Sequence, residues 1–300
     1  MSEKNMTALV SCFARAYHYR NNEVRVFADD YAEKLMTHQE YDAVAGNMSG
    51  GISYFNPDFK GNAEEALRWI VDNQLSPSVL GRSAFCEDKL EAAVKDGCRQ
   101  YLVFAAGYDT FAYRNNFNGL KVFELDLPDM IDDKISRTGD AGKRAIYIPC
   151  DLSSPSWRDK LMQSAYDAAE ISFSSLLGIS YYLTGAQFEA LLRGVASAVC
   201  PGSMICFDYP YPTCDAGEES ARNEEMAAAA GEQMKAKYSR SEVEMLLNRV
   251  GFEVMEHLDD DGMTENYFDE YNEAVPEHQM KAPAGVGYCL AVLKRQTENA

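Results

Sequence analysis

A turn of small residues follows an apolar run in the middle of the chain, where residues 100–114 read QYLVFAAGYDTFAYR. Ala105, Ala106 and Gly107 come directly after a run that is predicted to form a buried strand. In open α/β sheets nucleotide-like ligands bind at the carboxyl ends of parallel strands, because small residues there let the backbone approach the ligand closely. The turn is a candidate ligand site, although such turns also occur for packing reasons alone.

Acidic residues follow the next two apolar runs, where further parallel strands are predicted to end. Asp126, in VFELDLP, lies about 20 residues after Gly107, at the spacing where a carboxylate accepts hydrogen bonds from ribose hydroxyls. Glu124 is predicted to lie on the same face of the strand, one pleat deeper. Asp151 and Leu152, in IPCDLSSPSW, could bond an exocyclic amine and cover an adenine ring, but an Asp that caps the next turn is the simpler alternative.

Gly97 separates a helical part of the chain from a part in which short apolar runs alternate with helix-like stretches. From Thr7 to about Lys95 apolar residues recur with a helical period. Loops are predicted in this part where Gly, Pro and Ser are frequent, at residues 46–61 and 75–85. These residues form a helical lead-in to the rest of the chain.

After Gly97 the alternation is typical of βαβ units, which build a parallel sheet covered by helices. The last two apolar runs have no convincing helix between them, so they are predicted to pair antiparallel at one edge of the sheet. Capping-box spacings at Thr184 and Ser239 predict that helices begin there. The predicted strands are residues 101–105, 121–125, 145–149, 171–176, 203–207, 251–258 and 287–293.

A chain of 300 residues, 46% of them apolar and 25% charged, can bury one large core. We predict a single elaborated α/β domain. Residues 1–96 form a helical cap, and residues 97–300 form a Rossmann-like core with an inserted lid around residues 210–238.

Charge and cysteine content exclude several classes of partner. With 28 basic and 47 acidic side chains the net charge is −19, and no basic patch is present that could bind a nucleic acid. No secretory signal or membrane span is predicted. Eight cysteines without a CxxC pair or a His at zinc-ligand spacing predict no metal site and a reduced, cytoplasmic protein.

Several stretches, taken in order, resemble the leucine carboxyl methyltransferase family, which includes protein C-terminal leucine methyltransferases and the tetracenomycin-type polyketide O-methyltransferases. They cover nearly the whole chain: TALVSCFARAYHYR, SVLGRSAFCEDKL, QYLVFAAGYDTFAYR, VFELDLP, PCDLSSPSW, SYYLT and GFEVMEHLD. The resemblance implies S-adenosylmethionine as cofactor. It also implies a Rossmann-like class I methyltransferase fold, with a seven-stranded, mostly parallel sheet, an antiparallel last strand and an N-terminal helical extension.

Site residues are implied wherever a family motif matches this sequence. Arg82 is implied to salt-bridge the methionine carboxylate of the cofactor, a role that suits a guanidinium because it grips a carboxylate bidentately. The turn after the first strand is implied to face the amino-acid part, with Asp126 on the ribose and Asp151 and Leu152 on the adenine. The implied cofactor-binding residues are Arg82, Ala105, Ala106, Gly107, Asp126, Asp151, Leu152 and Leu177.

Two of these residues depart from the family pattern. Ala105 replaces the Gly that usually opens the first turn, and we expect it to have a negative φ, which tolerates a Cβ. A positive φ there, or a Cβ that blocks the cofactor, would contradict this interpretation of the turn. Leu177 stands where many members carry a Glu that contacts the cofactor, so the main chain of residues 176–178 is expected to replace that contact.

The predicted function is methyl transfer from S-adenosylmethionine to a carboxyl or hydroxyl oxygen of a small molecule. A carboxylate is already ionised at neutral pH, whereas a phenol with a pKa of about 10 would benefit from a base. No catalytic residue is assigned, and candidates on the acceptor side are Arg15, His18, Tyr182 and Tyr209. The alternatives are a cofactor-binding protein without catalysis and an NAD(P)-dependent oxidoreductase, which would need a Gly in place of Thr110.

Overall fold

A computed structural model of the chain describes residues 6–212 and 235–295. Most of the lid that the sequence predicts around residues 210–238 lies outside these residues. Among the described helices, none has the length and apolar character needed to cross a bilayer.

Seven strands form one mixed sheet in the order β3-β2-β1-β4-β5-β7-β6. Strands β1 to β5 run parallel to one another, and β7 lies antiparallel between β5 and β6. The predicted fold class, including the antiparallel last strand, is confirmed. The strands are β1 (Gln100–Phe104), β2 (Lys121–Asp126), β3 (Ala145–Pro149), β4 (Ser172–Leu176), β5 (Met204–Pro210), β6 (Phe252–Leu258) and β7 (Val286–Leu293).

Helices precede the sheet and cover both of its faces. In the described part of the chain, five lie before β1: α1 (Met6–Asn21), α2 (His38–Gly50), α3 (Ile52–Phe55), α4 (Ala63–Ile70) and α5 (Ser76–Lys95). The later ones within the described residues are α6 (Phe111–Arg114), α7 (Pro128–Thr138), α8 (Ser156–Met162), α9 (Gly185–Ala198), α10 (Arg240–Val250), α11 (Asp260–Tyr267) and α12 (Asp269–Ala274).

Alternate residues of β1 belong to two separate buried clusters, as the two-residue period of a strand requires. Tyr101 and Val103 pack with residues of α1 and α5, whereas Leu102 and Phe104 pack with residues of α9. The N-terminal helices therefore share a hydrophobic core with one face of the sheet.

Both predicted capping boxes are present. The hydroxyl of Thr184 accepts a hydrogen bond from the backbone N–H of Gln187, whose side chain accepts one from the N–H of Thr184, at the start of α9. Ser239 and Glu242 make the same reciprocal pair at the start of α10. Each pair satisfies two N–H groups that the first turn of a helix leaves without partners.

The two loops predicted in the N-terminal part are wrong in most of their length. Residues 75–85 are helical because α5 begins at Ser76 and has Pro77 in its first turn, where the missing N–H of proline costs nothing. In residues 46–61, α2 continues to Gly50 and α3 follows, so only the end of that stretch is a loop. The expected lack of a helix between β6 and β7 is also wrong, because α11 and α12 lie there.

Candidate active site

A cavity of about 640 Å³ opens at the carboxyl ends of β1, β2 and β4. Its walls come from the loops that follow these strands, together with the start of α1 and the middle of α5. The predicted site residues that line it are Arg15, Arg82, Ala105, Ala106, Gly107, Asp126, Leu177 and Tyr182. Four others, namely His18, Asp151, Leu152 and Tyr209, are not among its lining residues.

Ala105 has a φ of +52° and is the only non-glycine residue with a positive φ within residues 6–212 and 235–295. The expected negative φ is therefore wrong. The turn after β1 needs a left-handed backbone at Ala105 and again at Gly107, whose φ is +45°. For an L-residue with a Cβ this conformation costs about 1–2 kcal/mol, which explains why glycine suits the position. The positive φ contradicts the interpretation of this turn as the cofactor-facing turn. The proposal of a cofactor site at the cavity therefore depends on the surrounding residues.

Ala105→Gly is expected to raise the free energy of unfolding by about 0.5–1 kcal/mol, since relief of the left-handed strain exceeds the added flexibility of the unfolded chain. Urea denaturation of the purified protein measures the change. Ala106→Gly is the matched control, because Ala106 has no positive φ and its substitution should only destabilise. Equal losses in both variants would contradict a strained Ala105.

Asp126 joins the turns that follow β1 and β2. One carboxylate oxygen, Oδ2, accepts a hydrogen bond from the backbone N–H of Gly107 (2.7 Å), and Oδ1 accepts one from the N–H of Leu127 (2.7 Å). Burial raises the pKa of Asp126, while these two N–H groups oppose that shift. The carboxylate is thus fixed at the cavity wall, where it has capacity for further hydrogen bonds.

Glu124, two residues earlier in β2, forms a fully buried ion pair with Lys134 of α7, with Oε2 and Nζ 2.6 Å apart. Burial raises the pKa of Glu124 to about 7, although Lys134 opposes the rise. The pair links the strand that carries Asp126 to the helix that follows it.

Arg82 projects from α5 to the cavity with few protein partners. Its Nη2 is 3.4 Å from the hydroxyl oxygen of Ser11, and its Nη1 is 3.7 Å from Oδ2 of Asp208. The guanidinium lies against Gly178, where an added Cβ would come within 2.7 Å of Nη1 and where φ is +68°. A side chain at this position would be strained by the backbone conformation and would have to displace the Arg82 guanidinium. Because a guanidinium has five N–H donors, Arg82 retains donors for an anion in the cavity.

Asp208, near the end of β5, is a residue that sequence reasoning missed. Its carboxylate is fully buried behind Arg82 and accepts hydrogen bonds from the backbone N–H of Gly178 (2.7 Å) and the hydroxyl of Tyr181 (3.0 Å). A signal was available, since Asp208 directly follows the predicted strand at 203–207, as Asp126 follows the strand at 121–125.

Arg15 reaches the cavity, but its guanidinium is bound within the protein. Its Nε is 2.8 Å from Oδ2 of Asp29, and its Nη2 donates to the carbonyl oxygen of Tyr108 (2.6 Å). Burial would raise the pKa of Asp29, but Arg15 and Arg114 hold it below its usual value. This ionised cluster joins α1 to the segment after β1, so Arg15 supports the cavity wall.

A second ionic cluster closes the side of the cavity near α7. Arg137 contacts both carboxylate oxygens of Glu40 (2.8 and 2.9 Å), and its Nε donates to Asp133 (2.8 Å). Hydrogen bonds from Arg137 lower the pKa of Glu40 to about 2. The hydroxyl of Tyr108 also donates to Asp133. These groups join α2 to α7, and the low pKa of Glu40 keeps its carboxylate ionised at neutral pH.

The four predicted residues outside the cavity have other partners or another position. Asp151 accepts hydrogen bonds from the N–H and hydroxyl of Ser153, the turn-capping arrangement given above as its simpler alternative, and Leu152 lies beside it. His18 is buried, accepts from the N–H of Val26 (3.1 Å) and has its pKa lowered to about 3 by burial. Tyr209 is buried and hydrogen-bonds His257.

No histidine, lysine or cysteine lines the cavity among the residues that the structure describes. All four histidines of the sequence are described, and none of them reaches it. Leu177, Ile179 and Tyr182 form a largely apolar wall after β4. The cavity thus offers an arginine, a held carboxylate and an apolar wall, but no group among these residues that ordinarily titrates near neutral pH.

The sheet order and a ligand-sized cavity at the carboxyl ends of its parallel strands fit the Rossmann-like fold of the methyltransferases that use S-adenosylmethionine as methyl donor. The family model described as leucine carboxyl methyltransferase matches residues 8–196, which include β1 to β4 and nearly all of the cavity lining. The chain belongs to this family.

Curated relatives agree with this class. YktD of Bacillus subtilis (strain 168), provisionally named as an S-adenosyl-L-methionine-dependent methyltransferase, is 34% identical over 281 residues, 89% of this chain and 92% of that protein. A Frankia alni protein with a provisional name of the same class is 29% identical over 213 residues, 69% of each chain.

Two solved structures have a similar fold. A crystal structure of a DUF574 family protein from Streptomyces avermitilis superposes with a TM-score of 0.58 at 12% identity, over 95% of this chain and 97% of that one. A provisionally named methyltransferase from Thermobifida fusca gives 0.54 at 13% identity, over 96% and 94%. At these identities the likeness establishes the fold alone.

Proposed function

We propose that this S-adenosylmethionine-dependent methyltransferase methylates an oxygen atom of a small molecule, and that a carboxylate is its preferred acceptor. The observation that carries the proposal is the cavity lining, which combines an available guanidinium and a held carboxylate but has no histidine, lysine or cysteine among the described residues. A hydroxyl acceptor is the second candidate, because both acceptors suit the family.

The residues present fit the cofactor. Arg82 has donors for its carboxylate, and Asp126 has acceptor capacity for the ribose hydroxyls. Asp151 and Leu152 remain the residues proposed for the adenine. The N–H of Cys150 donates to the carbonyl oxygen of Asp126 (2.7 Å), which keeps the ends of β2 and β3 adjacent.

When bound, S-adenosylmethionine supplies a methyl group on a positively charged sulfur. The protein then acts mainly by holding the acceptor oxygen in line with that methyl group and by excluding water. Leu177, Ile179 and Tyr182 provide the apolar wall for this purpose. Tyr182 is the one acceptor-side candidate that both lines the cavity and follows β4, and Arg15 acts through the wall that it supports.

The lack of a histidine, lysine or cysteine in the described part of the lining favours a carboxylate over a phenol. A carboxylate with a pKa of about 4 is ionised at neutral pH and attacks without losing a proton, whereas a phenol with a pKa of about 10 needs one removed. His18 is unsuited to that task because it is buried outside the cavity and its pKa is lowered. Tyr209 is buried away from the cavity as well.

The first experiment is calorimetric titration with S-adenosylhomocysteine and, separately, NADH. We expect binding of the former only, and binding of NADH alone would support the oxidoreductase alternative. Acceptors are then screened as matched pairs, each a carboxylic acid and its phenol analogue. We expect methyl esters, with a rate that changes little from about pH 6 to about pH 9. A rate that rises steadily with pH would favour a hydroxyl acceptor, and tight binding without any acceptor would favour the non-catalytic alternative.

The setting proposed for this reaction follows from the sequence. We propose a cytoplasmic enzyme with a small-molecule acceptor and no nucleic-acid partner, in which residues 1–96 cap the core formed by residues 97–300. The seven cysteines within the described residues are all free, which supports a reducing compartment. The shared core between the N-terminal helices and the sheet supports one elaborated domain.

A further inference from the structure

Asp208 is a fully buried carboxylate for which the family resemblance and the sequence reasoning assign no role. It lies near the carboxyl end of β5, the strand next to β4 in the sheet. A buried carboxylate is costly unless hydrogen bonds and an opposite charge compensate it. Among the described residues, the one cation within 4.0 Å of Asp208 is Arg82.

The carboxylate contacts the cavity wall at two points. Its Oδ1 accepts a hydrogen bond from the N–H of Gly178 (2.7 Å), which fixes the backbone directly after Leu177. Its Oδ2 lies 3.7 Å from Nη1 of Arg82, so the charge attracts the guanidinium without occupying it in a close hydrogen bond. Gly178 and Arg82 are also close to each other, because a Cβ added to Gly178 would lie only 2.7 Å from Nη1 of Arg82.

Two further hydrogen bonds hold Asp208 in place. The hydroxyl of Tyr181 donates to Oδ2 (3.0 Å), and the hydroxyl of Ser180 donates to the backbone carbonyl of Asp208 (2.7 Å). Burial and the charge of Asp208 raise the pKa of Tyr181 well above its usual value, so this phenol remains a donor. The carboxylate therefore has a fixed orientation behind the cavity wall.

We propose that Asp208 is a positioning residue for cofactor binding, which holds the Arg82 guanidinium and the Leu177–Gly178 backbone in the orientation that receives the carboxylate of the cofactor. This inference rests on the proposed role of Arg82. Since a side chain held in advance loses less entropy on binding, Asp208 contributes to affinity without contacting the ligand. Asp208 also supplies a negative charge behind the end of β4, where Leu177 replaces the Glu that many family members carry.

Asp208→Asn tests the proposal, because it removes the charge but keeps the shape and one acceptor oxygen for Gly178. We expect the Kd for S-adenosylhomocysteine to rise about 10-fold to 100-fold. The Kd for 5′-methylthioadenosine should change less than about twofold, because that molecule lacks the amino-acid part that Arg82 would bind. Calorimetric titration of the full-length protein with both ligands provides these values, and KM for S-adenosylmethionine should rise more than kcat falls.

Control variants separate positioning from general damage. Tyr181→Phe removes a hydrogen bond to the same carboxylate but leaves its charge, and should weaken S-adenosylhomocysteine binding much less. In an Arg82→Gln background, Asp208→Asn should have little further effect, because coupled residues give non-additive losses. Additive losses, or equal losses for both ligands, would overturn the proposal. If the unmodified protein does not bind S-adenosylhomocysteine at all, the proposed cofactor site fails instead.

Discussion

Arg82→Gln is expected to weaken the binding of S-adenosylhomocysteine by about 100-fold or more, the largest effect of any single substitution at the cavity. Among the described residues, Arg82 is the cavity-lining cation that keeps unused donors, because Arg15 and Arg137 are bound by carboxylates and carbonyl oxygens of the protein. Loss of a charged partner from a partly desolvated pair costs about 2–5 kcal/mol. The substitution also leaves Asp208 buried without a cation.

Titration of the variant with S-adenosylhomocysteine and 5′-methylthioadenosine measures this effect. The loss should be confined to S-adenosylhomocysteine, and Arg82→Lys should recover only part of it, because an ammonium cannot bind a carboxylate bidentately. Arg158→Gln is the matched control, since Arg158 is partly exposed on α8, bonds Ser197 and does not line the cavity. Unchanged affinity in Arg82→Gln would remove Arg82 from the proposed site.

The parallel core of the fold could be predicted from sequence because its signals are local. Apolar runs bounded by turn residues mark β1 to β5, and the hydroxyl and acid or amide pairs at Thr184 and Ser239 mark two helix starts. The position of Asp126 at the end of β2 could be predicted from its spacing in the sequence after Gly107 alone. The N–H of Gly107 bonds Asp126 in the structure, so these two predicted residues are brought together.

Other features depend on contacts that are distant in sequence. Residues 75–85 carry Pro, Ser and Gly, which favour loops locally, yet they form a helix that packs in the core with Leu80 and Phe85 buried. The positive φ of Ala105 is set by the turn that joins β1 to the cavity wall. The role proposed for Asp208 depends on its ion pair with Arg82, which lies 126 positions earlier in the chain (208 − 82). No pattern within β5 reveals that contact.

The second large effect concerns stability. Lys134→Met is expected to lower the free energy of unfolding by about 3–5 kcal/mol at pH 8, because it leaves the Glu124 carboxylate buried without its cation. Lys134 and Glu124 are both fully buried, so water cannot replace the lost partner. Urea denaturation at several pH values measures the change.

The pH dependence of the free energy of unfolding identifies why Lys134→Met is destabilised. Burial already raises the pKa of Glu124 from its ordinary 4.5 to about 7, and loss of Lys134 raises it further. A carboxyl group whose pKa is raised by folding contributes stability that is present below the unfolded value and is lost as pH rises through the folded value. The deficit of Lys134→Met should therefore be largest at pH 8 and shrink toward pH 5, where Glu124 is protonated.

Two further variants test the same cause. Addition of Glu124→Leu to Lys134→Met should restore most of the stability, since an apolar pair can replace a buried ion pair. Lys95→Met, which breaks an exposed pair with Glu91, should change the stability little. A deficit that is equal at pH 5 and pH 8 would mean that lost packing, and not an unpaired charge, causes it.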